Sequence, residues 1–204
     1  MTDPLDPIAA YYAGRLAEHG VTARGVDWNG TDGQTRRFVE LCRVIDLAEP
    51  FSVNDLGCGY GALHDFLTAH YPTFDYRGFD IAPAMVAATR HRLGAAAGAV
   101  GAIPDRIADF GMASGIFNVR LGAADGAWQT HVVTTLDVLD RTSRRGFAFN
   151  CLTRYSDADR MRPDLYYADP LVLFDHCKRH YARDVALMHD YGLYEFTILV
   201  RKAP

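Results

Sequence analysis

Two acids stand at matching places in the chain. Asp55 lies near the end of the apolar run Phe51-Ser52-Val53-Asn54-Asp55-Leu56, just before Gly57, Gly59 and Gly61. Asp80 ends the next apolar run, 23 residues after Gly57. Glycines in such a turn let backbone N–H groups and the N-terminus of the following helix come close to a ligand. A carboxylate at the tip of the second run can accept hydrogen bonds from both hydroxyls of a ribose, which points to a nucleoside over a bare phosphate. With Ala62 in the third small position the turn also fits the dinucleotide fingerprint G-x-G-x-x-[GA]. Asp55 weighs against that fit, because its charge would repel a pyrophosphate and suits a ligand carrying an ammonium group. Plainer roles stand beside these. The glycines also make a tight strand-to-helix turn, and Asp80 is placed to cap the helix opened by Pro83, a duty compatible with holding a ribose. Cys58 reads as a small apolar filler, since no basic neighbour in sequence lowers its pKa.

These residues need a scaffold, and the hydrophobic pattern supplies one. Asp6-Pro7 starts a helix that ends at Gly20, and a second helix is expected from Gln34 to Ala48, stopped by Pro50. From Phe51 onward short apolar strands alternate with helices. The strands are expected over Phe51–Leu56, Tyr76–Ile81, Val100–Ile103, Phe110–Phe117, Gly146–Leu152, Val185–Met188 and Glu195–Val200. Helices follow Leu63, Pro83, Trp128 and Asp169-Pro170. Alternation of this kind implies an α/β fold, doubly wound around a mostly parallel sheet. The last two strands are joined by a short turn at Asp190-Tyr191-Gly192, too tight for a crossover, so the final strand must run antiparallel. The expected organisation is a helical cover over residues 1–50 and an α/β ligand-binding domain over 51–204, together one globular unit. Ligands in such sheets sit beyond the carboxyl ends of the strands.

Composition narrows the classes. The 204 residues carry 21 Lys plus Arg against 25 Asp plus Glu, a net charge of −4, which disfavours a nucleic-acid partner held by phosphate attraction. Hydrophobic residues make up 49% and charged residues 23%, globular values that exclude a disordered or collagenous chain. Four cysteines are scattered without CxxC or Cys/His spacing, so reduced thiols and no metal site are expected. The start lacks a basic n-region, and the longest uncharged run, Leu93 to Pro104, is too short to span a bilayer, so a cytoplasmic protein without a membrane partner is expected.

Val53 to Gly61 resembles the first motif of the class I S-adenosylmethionine-dependent methyltransferases. Tyr76-Arg77-Gly78-Phe79-Asp80-Ile81 is similar to their second motif, and Ala108 to Phe117 to the strand beside the donor's methionine part. The resemblance runs in order and spacing from about residue 51 to the end, including the final hairpin. It implies a Rossmann-like fold, S-adenosylmethionine as cofactor, and a turn of Gly57, Cys58, Gly59 and Gly61 around the methionine moiety, with Asp55 near its amino group. By the same resemblance Asp80 would take the ribose hydroxyls and Ile81 would pack on the adenine. Ala102 and Ile103 would lie at the adenine edge, and Ser114 near the amino acid end. Many relatives carry an acid near Ala102 and a Ser or Thr where Ala82 stands; this chain has neither. Ser114 reads equally well as a small residue in a buried strand.

A sulfonium donor arrives activated, so the protein mainly aligns an acceptor, and a general base is needed only if the acceptor arrives protonated. Acceptor-side candidates come from loops at the same rim: Asn118, Tyr155, Tyr166, Tyr167 and His189. Tyr155 to Asp169 is long for a strand-to-helix loop and reads as a binding loop. For His189 a hydrogen-bonded turn is the plainer role; Tyr166-Tyr167 reads equally as an aromatic wall or as packing beneath the loop. Trp28, Gln34 and Arg37 belong to the N-terminal cover; Gln34 and Arg37 share a helix face that can either reach a carboxylate or face solvent. The modest cover and single long loop favour a small-molecule acceptor. Two other functions compete with a methyltransferase: a nicotinamide-dinucleotide oxidoreductase, and a donor-binding protein with a sensor role or non-methyl chemistry. The residues specify neither the methylated atom nor the oligomeric state.

Overall fold

The computed structural model describes residues 5–203. The cover is built from α1 (Asp6–His19), a single 3-10 turn at Ala23–Val26, and α2 (Thr31–Cys42). After Cys42 the chain tightens, with Val44 N–H donating to Leu41 O and Ile45 N–H to Cys42 O. The second helix therefore ends well before Pro50, because Val44 is fully buried and the turn that buries it breaks the helical ladder.

Then come β1 (Phe51–Leu56), α3 (Ala62–His70), β2 (Phe74–Asp80), α4 (Pro83–Leu93), β3 (Gly98–Val100) and β4 (Ala108–Ala113). The chain ends with α5 (Asp125–Arg141), β5 (Ser143–Leu152), α6 (Pro170–His180), β6 (Asp184–Met188) and β7 (Glu195–Arg201). Proline opens α1, α4 and α6, where its missing N–H has no helical partner to lose. At α6 the Asp169 carboxylate accepts from the N–H groups of Leu171 and Val172, as the Asp-Pro pair implies.

The seven strands lie in the order β3-β2-β1-β4-β5-β7-β6. The first five pair in parallel, and β7 runs antiparallel between β5 and β6. The sheet is mostly parallel with an antiparallel C-terminal insertion, an α/β doubly wound fold. Register matters for function: Leu56 pairs with Phe79 on one side and Ala113 on the other. The ends of β1, β2 and β4 are thus level, and the loops that leave them meet at one rim. The strand order reverses between β1 and β4, where a doubly wound sheet leaves its crevice.

Strand side chains alternate between two cores. Leu56, Ala113, Phe147, Phe149, Ile198 and Val200 join the cluster that contains α5 and α6 residues. Val53, Phe110, Met112, Ala148 and Leu199 join the one that contains Phe38 and Leu41 of α2 and Leu63 and Leu67 of α3. Each fully buried phenylalanine or leucine contributes ~1.5–3 kcal/mol, so the rim rests on a rigid base. No helix among the described residues is long and apolar enough to cross a membrane.

Candidate active site

The rim begins at the turn after β1. Gly57, Gly59 and Gly61 all hold positive φ, at 75°, 56° and 85°. At Gly57 a side chain is excluded twice: the backbone is left-handed, and an added Cβ would come within 2.1 Å of the Ile116 Cγ2. The Gly57 and Cys58 N–H groups both donate to Phe79 O, which ties the turn to the end of β2.

Both acids stand on this turn. The Asp80 Oδ2 accepts from the Gly59 N–H at 2.9 Å and its Oδ1 from the Ala82 N–H at 2.8 Å. One carboxylate thus clamps the glycine turn and supports the start of α4, where Ala82 brings no capping side chain of its own. Each oxygen keeps a further lone pair for a ligand. The buried Asp55 carboxylate accepts from the Tyr76 hydroxyl at 2.8 Å. Burial lifts the pKa of Asp55 to about 7; the Tyr76 hydrogen bond opposes that shift and the Asp80 charge adds to it. Burial lifts Asp80 to about 6, against the pull of the Ala82 and Gly59 N–H groups. Among the described residues no cation offsets the shift of either acid, and a bound ammonium group would do so. The Cys58 thiol is pushed well above its ordinary value by burial and by both acids, which leaves it an inert filler.

Two adjoining cavities open at the rim. The first is narrow, about 110 Å³, and is lined by Asp55, Gly57, Asp80, Ile81, Ala102 and Ser114 from the sheet side. Ile8, Tyr12, Val26, Trp28, Gln34 and Phe38 close it from the cover. The second, about 600 Å³, is lined by Asp27, Arg37, Asn118, Arg162 and Glu195 among others. Tyr12, Val26, Trp28 and Gly115 border both. At Gly115, with φ 73°, an added Cβ would fall 2.3 Å from the Trp28 ring, so the wall between the cavities depends on a glycine.

A buried carboxylate that the motifs did not single out organises this wall. Glu195, at the start of β7, is 1% exposed. It receives a two-pronged bond from Arg37, Nε at 2.8 Å and Nη2 at 2.7 Å, and further bonds from the Asn118 and Asn150 amides. Arg37 in turn stacks on Trp28, 3.8 Å from the ring centroid. The Asn150 Oδ1 accepts from the Gly115 N–H at 2.7 Å. Glu195 therefore links the cover, β5 and the loop after β4. Gln34 also faces inward and accepts from the Tyr60 hydroxyl at 3.3 Å.

Among the donor-side residues named from sequence, Asp55, Gly57, Cys58, Gly59, Asp80, Ile81, Ala102 and Ser114 border the first cavity. Gly61 lies one step behind, packed toward Leu93 and Thr89 of α4. Ile103 falls outside the wall, 56% exposed. The third strand spans Gly98–Val100, earlier than the expected Val100–Ile103, so the chain has already turned at Gly101. The Ser114 Oγ is buried with no hydrogen-bond partner among the described residues, a polar atom in want of a ligand.

On the acceptor side Asn118 alone of the named residues borders either of these two cavities, and its amide also braces Leu152 and Glu195. Tyr155 is 61% exposed and His189 is exposed beside it. Tyr166 is buried in the core, and the Tyr167 hydroxyl accepts from the Arg162 N–H within its own loop. Trp128, His131 and Thr135 of α5 line the first cavity unanticipated, since helical spacing alone makes them core residues. A nucleoside carrying an ammonium group suits the wall: two acids with spare lone pairs, an orphan hydroxyl, a glycine turn and the apolar Ile81.

No family model matches the chain. It is 60% identical over 164 residues to a Mycobacterium tuberculosis (strain ATCC 25618 / H37Rv) protein named "Putative methyltransferase Rv1506c", across 79% of this chain and 99% of that protein. It is 38% identical over 73 residues to trans-aconitate 2-methyltransferase of Methylobacterium nodulans, across 33% of this chain and 28% of that protein. The solved magnesium protoporphyrin IX methyltransferase of Synechocystis PCC 6803 with bound SAH matches with a TM-score of 0.68 at 11% identity, covering 98% of this chain and 100% of that one. At that identity the likeness is one of fold, whereas the first relative is similar along nearly its whole length. On its motifs, its sheet order and that relative, the chain belongs to the class I S-adenosylmethionine-dependent methyltransferases.

Proposed function

We propose that the chain moves a methyl group from S-adenosylmethionine to a small molecule held in the second cavity. The observation that carries this reading is the shared wall: Tyr12, Val26, Trp28 and Gly115 border both cavities, so a donor in one and an acceptor in the other meet there. The donor, when bound, supplies a methyl group on a sulfonium centre. The protein's part is then orientation, worth up to ~7–11 kcal/mol.

In this reading Asp55 pairs with the donor's ammonium group and Asp80 accepts from its ribose hydroxyls. Ile81 and Ala102 lie along the adenine, and the Ser114 hydroxyl meets the amino acid end. Ile116 and the cover exclude water from the transfer point. A small acceptor is supported by the walled shape of the second cavity. It is also supported by the relatives' names, which specify trans-aconitate and magnesium protoporphyrin IX as the compounds those proteins methylate.

Titration calorimetry with S-adenosylmethionine and S-adenosylhomocysteine tests the donor half. Binding of both and of no nicotinamide dinucleotide is expected, and preference for the dinucleotide overturns the reading. Mass spectrometry of small-molecule pools incubated with the protein and donor tests the second half. S-adenosylhomocysteine should accumulate with a product heavier by one methylene; donor binding without any transfer leaves a sensor.

A further inference from the structure

The charges around the second cavity are already spoken for. Arg37 is held by Glu195 through two hydrogen bonds. Arg162 is held by Asp164, with Nε 3.1 Å from Oδ1 and a second, shorter contact. Asp27 lies 3.2 Å from the Arg15 Nη2 and accepts from the Tyr11 hydroxyl at 2.8 Å. Asp32 is exposed in the first turn of α2, where its charge meets the positive end of the helix. The lining therefore offers no uncommitted cation among the described residues. A polycarboxylate placed here would lose its hydration with no counter-charge to replace it.

The same wall is rich in hydrogen-bonding groups of both kinds. Asn29, Thr31, Arg162 and the opening backbone of α2 offer donors, while Asp27, Asp32 and Thr31 offer acceptors. That mixture suits a ligand whose groups donate and accept at once, as hydroxyls do. Glu195 already takes bonds from Arg37, Asn118 and Asn150, whereas each Asp27 oxygen keeps a lone pair after its one partner.

We propose that the second cavity takes an uncharged, polyhydroxylated acceptor and that Asp27 receives the proton of the hydroxyl being methylated. This rests on the methyltransferase reading above and names its substrate class. An acceptor oxygen forms the new C–O bond to the methyl carbon as the C–S bond breaks, with that electron pair going to sulfur. The hydroxyl proton passes to the Asp27 carboxylate and then to water. Asp27 holds a left-handed backbone, φ 62°, which directs its side chain from the end of the 3-10 turn and which asparagine also tolerates.

The test uses the full chain with S-adenosylmethionine and five probes: methyl α-glucoside, methyl α-mannoside, methyl α-rhamnoside, trans-aconitate and putrescine. Ligand-observed NMR reads binding, and mass spectrometry reads product. At least one glycoside should bind and gain a methyl group, and trans-aconitate and putrescine should do neither. Methylation of either charged probe, or donor binding without binding of any glycoside, overturns the proposal. Failure to bind the donor instead overturns the reading beneath it, so the two failures are separable.

Two variants sharpen the result. Asp27→Asn should lower kcat on the glycoside at least tenfold with KM within about threefold; unchanged kcat removes Asp27 from the step. Asp164→Asn frees Arg162 and should make trans-aconitate binding observable in the NMR experiment. No binding would show that paired guanidinium charges are not what excludes anions.

Discussion

The two walls of the site are built by different means. The wall proposed for the donor is local: Asp55, Gly57 and Gly59 are near neighbours in sequence, and Asp80 joins them through a single parallel pairing. The wall between the cavities is assembled from afar, with Arg37 and Glu195 158 residues apart and Asn118 and Glu195 77 apart. The first kind of wall is a feature of the turn and can be carried by many chains. The second depends on every element around it arriving correctly.

That contrast can be broken by substitution. Glu195→Ala leaves Arg37, Asn118 and Asn150 without their buried partner and should cost about 3–5 kcal/mol of stability, read by urea unfolding. A loss under 1 kcal/mol would show that the long-range network is dispensable. Asp80→Ala should weaken S-adenosylmethionine binding by ~1.5–3 kcal/mol in calorimetry, through the lost ribose acceptor and the loosened Gly59 and Ala82 N–H groups. An unchanged affinity would detach Asp80 from the donor. Gly57→Ala forces a side chain onto positive φ and against Ile116, for an expected loss of about 1–3 kcal/mol, visible as a lowered thermal midpoint. A neutral result there would mean that Ile116 yields easily.

The smallest effect concerns pH. The folded chain holds Asp55 at about 7, above its ordinary value, so ionising it costs stability as pH rises toward that point. An ammonium group favours the ionised form, and donor affinity should therefore rise several-fold from pH 6 to pH 7.5, about 1 kcal/mol. Calorimetry at the two pH values checks the sign, and Asp55→Asn should flatten the dependence. A fall in affinity over that range would remove Asp55 as the partner of the amine.

Legibility in the chain divides along the same line. The β1 range, the start of α4, the glycine turn and the antiparallel close of the sheet were readable because apolar period, proline and glycine act over a few residues. Ile103 was misplaced because the third strand is only three residues long and mostly Gly and Ala, too weak a pattern to locate its end. His189 looked like a rim residue because it comes just after a strand. The insertion of β7 between β5 and β6 puts that strand at the sheet edge, far from β1 and β4. For Tyr166 an aromatic wall and packing beneath the long loop were equally open in the sequence; the loop folds back, Tyr166 is buried and its N–H donates to Asn118 O. Glu195 gave no signal, since a lone acid opening a strand is ordinary until its partners are known.

The order of residues by itself determined the fold class, the glycine turn proposed here for a nucleoside and the two acids that flank it, because each depends on spacing within one strand-turn-helix unit. Tertiary structure alone decided that Arg37 would be neutralised, that Trp28 and Gly115 would part the two cavities, and which loops would reach the rim. Those outcomes depend on strand order and on charges meeting across the sheet, and a pair of opposite charges takes its meaning only from the distance at which folding leaves them.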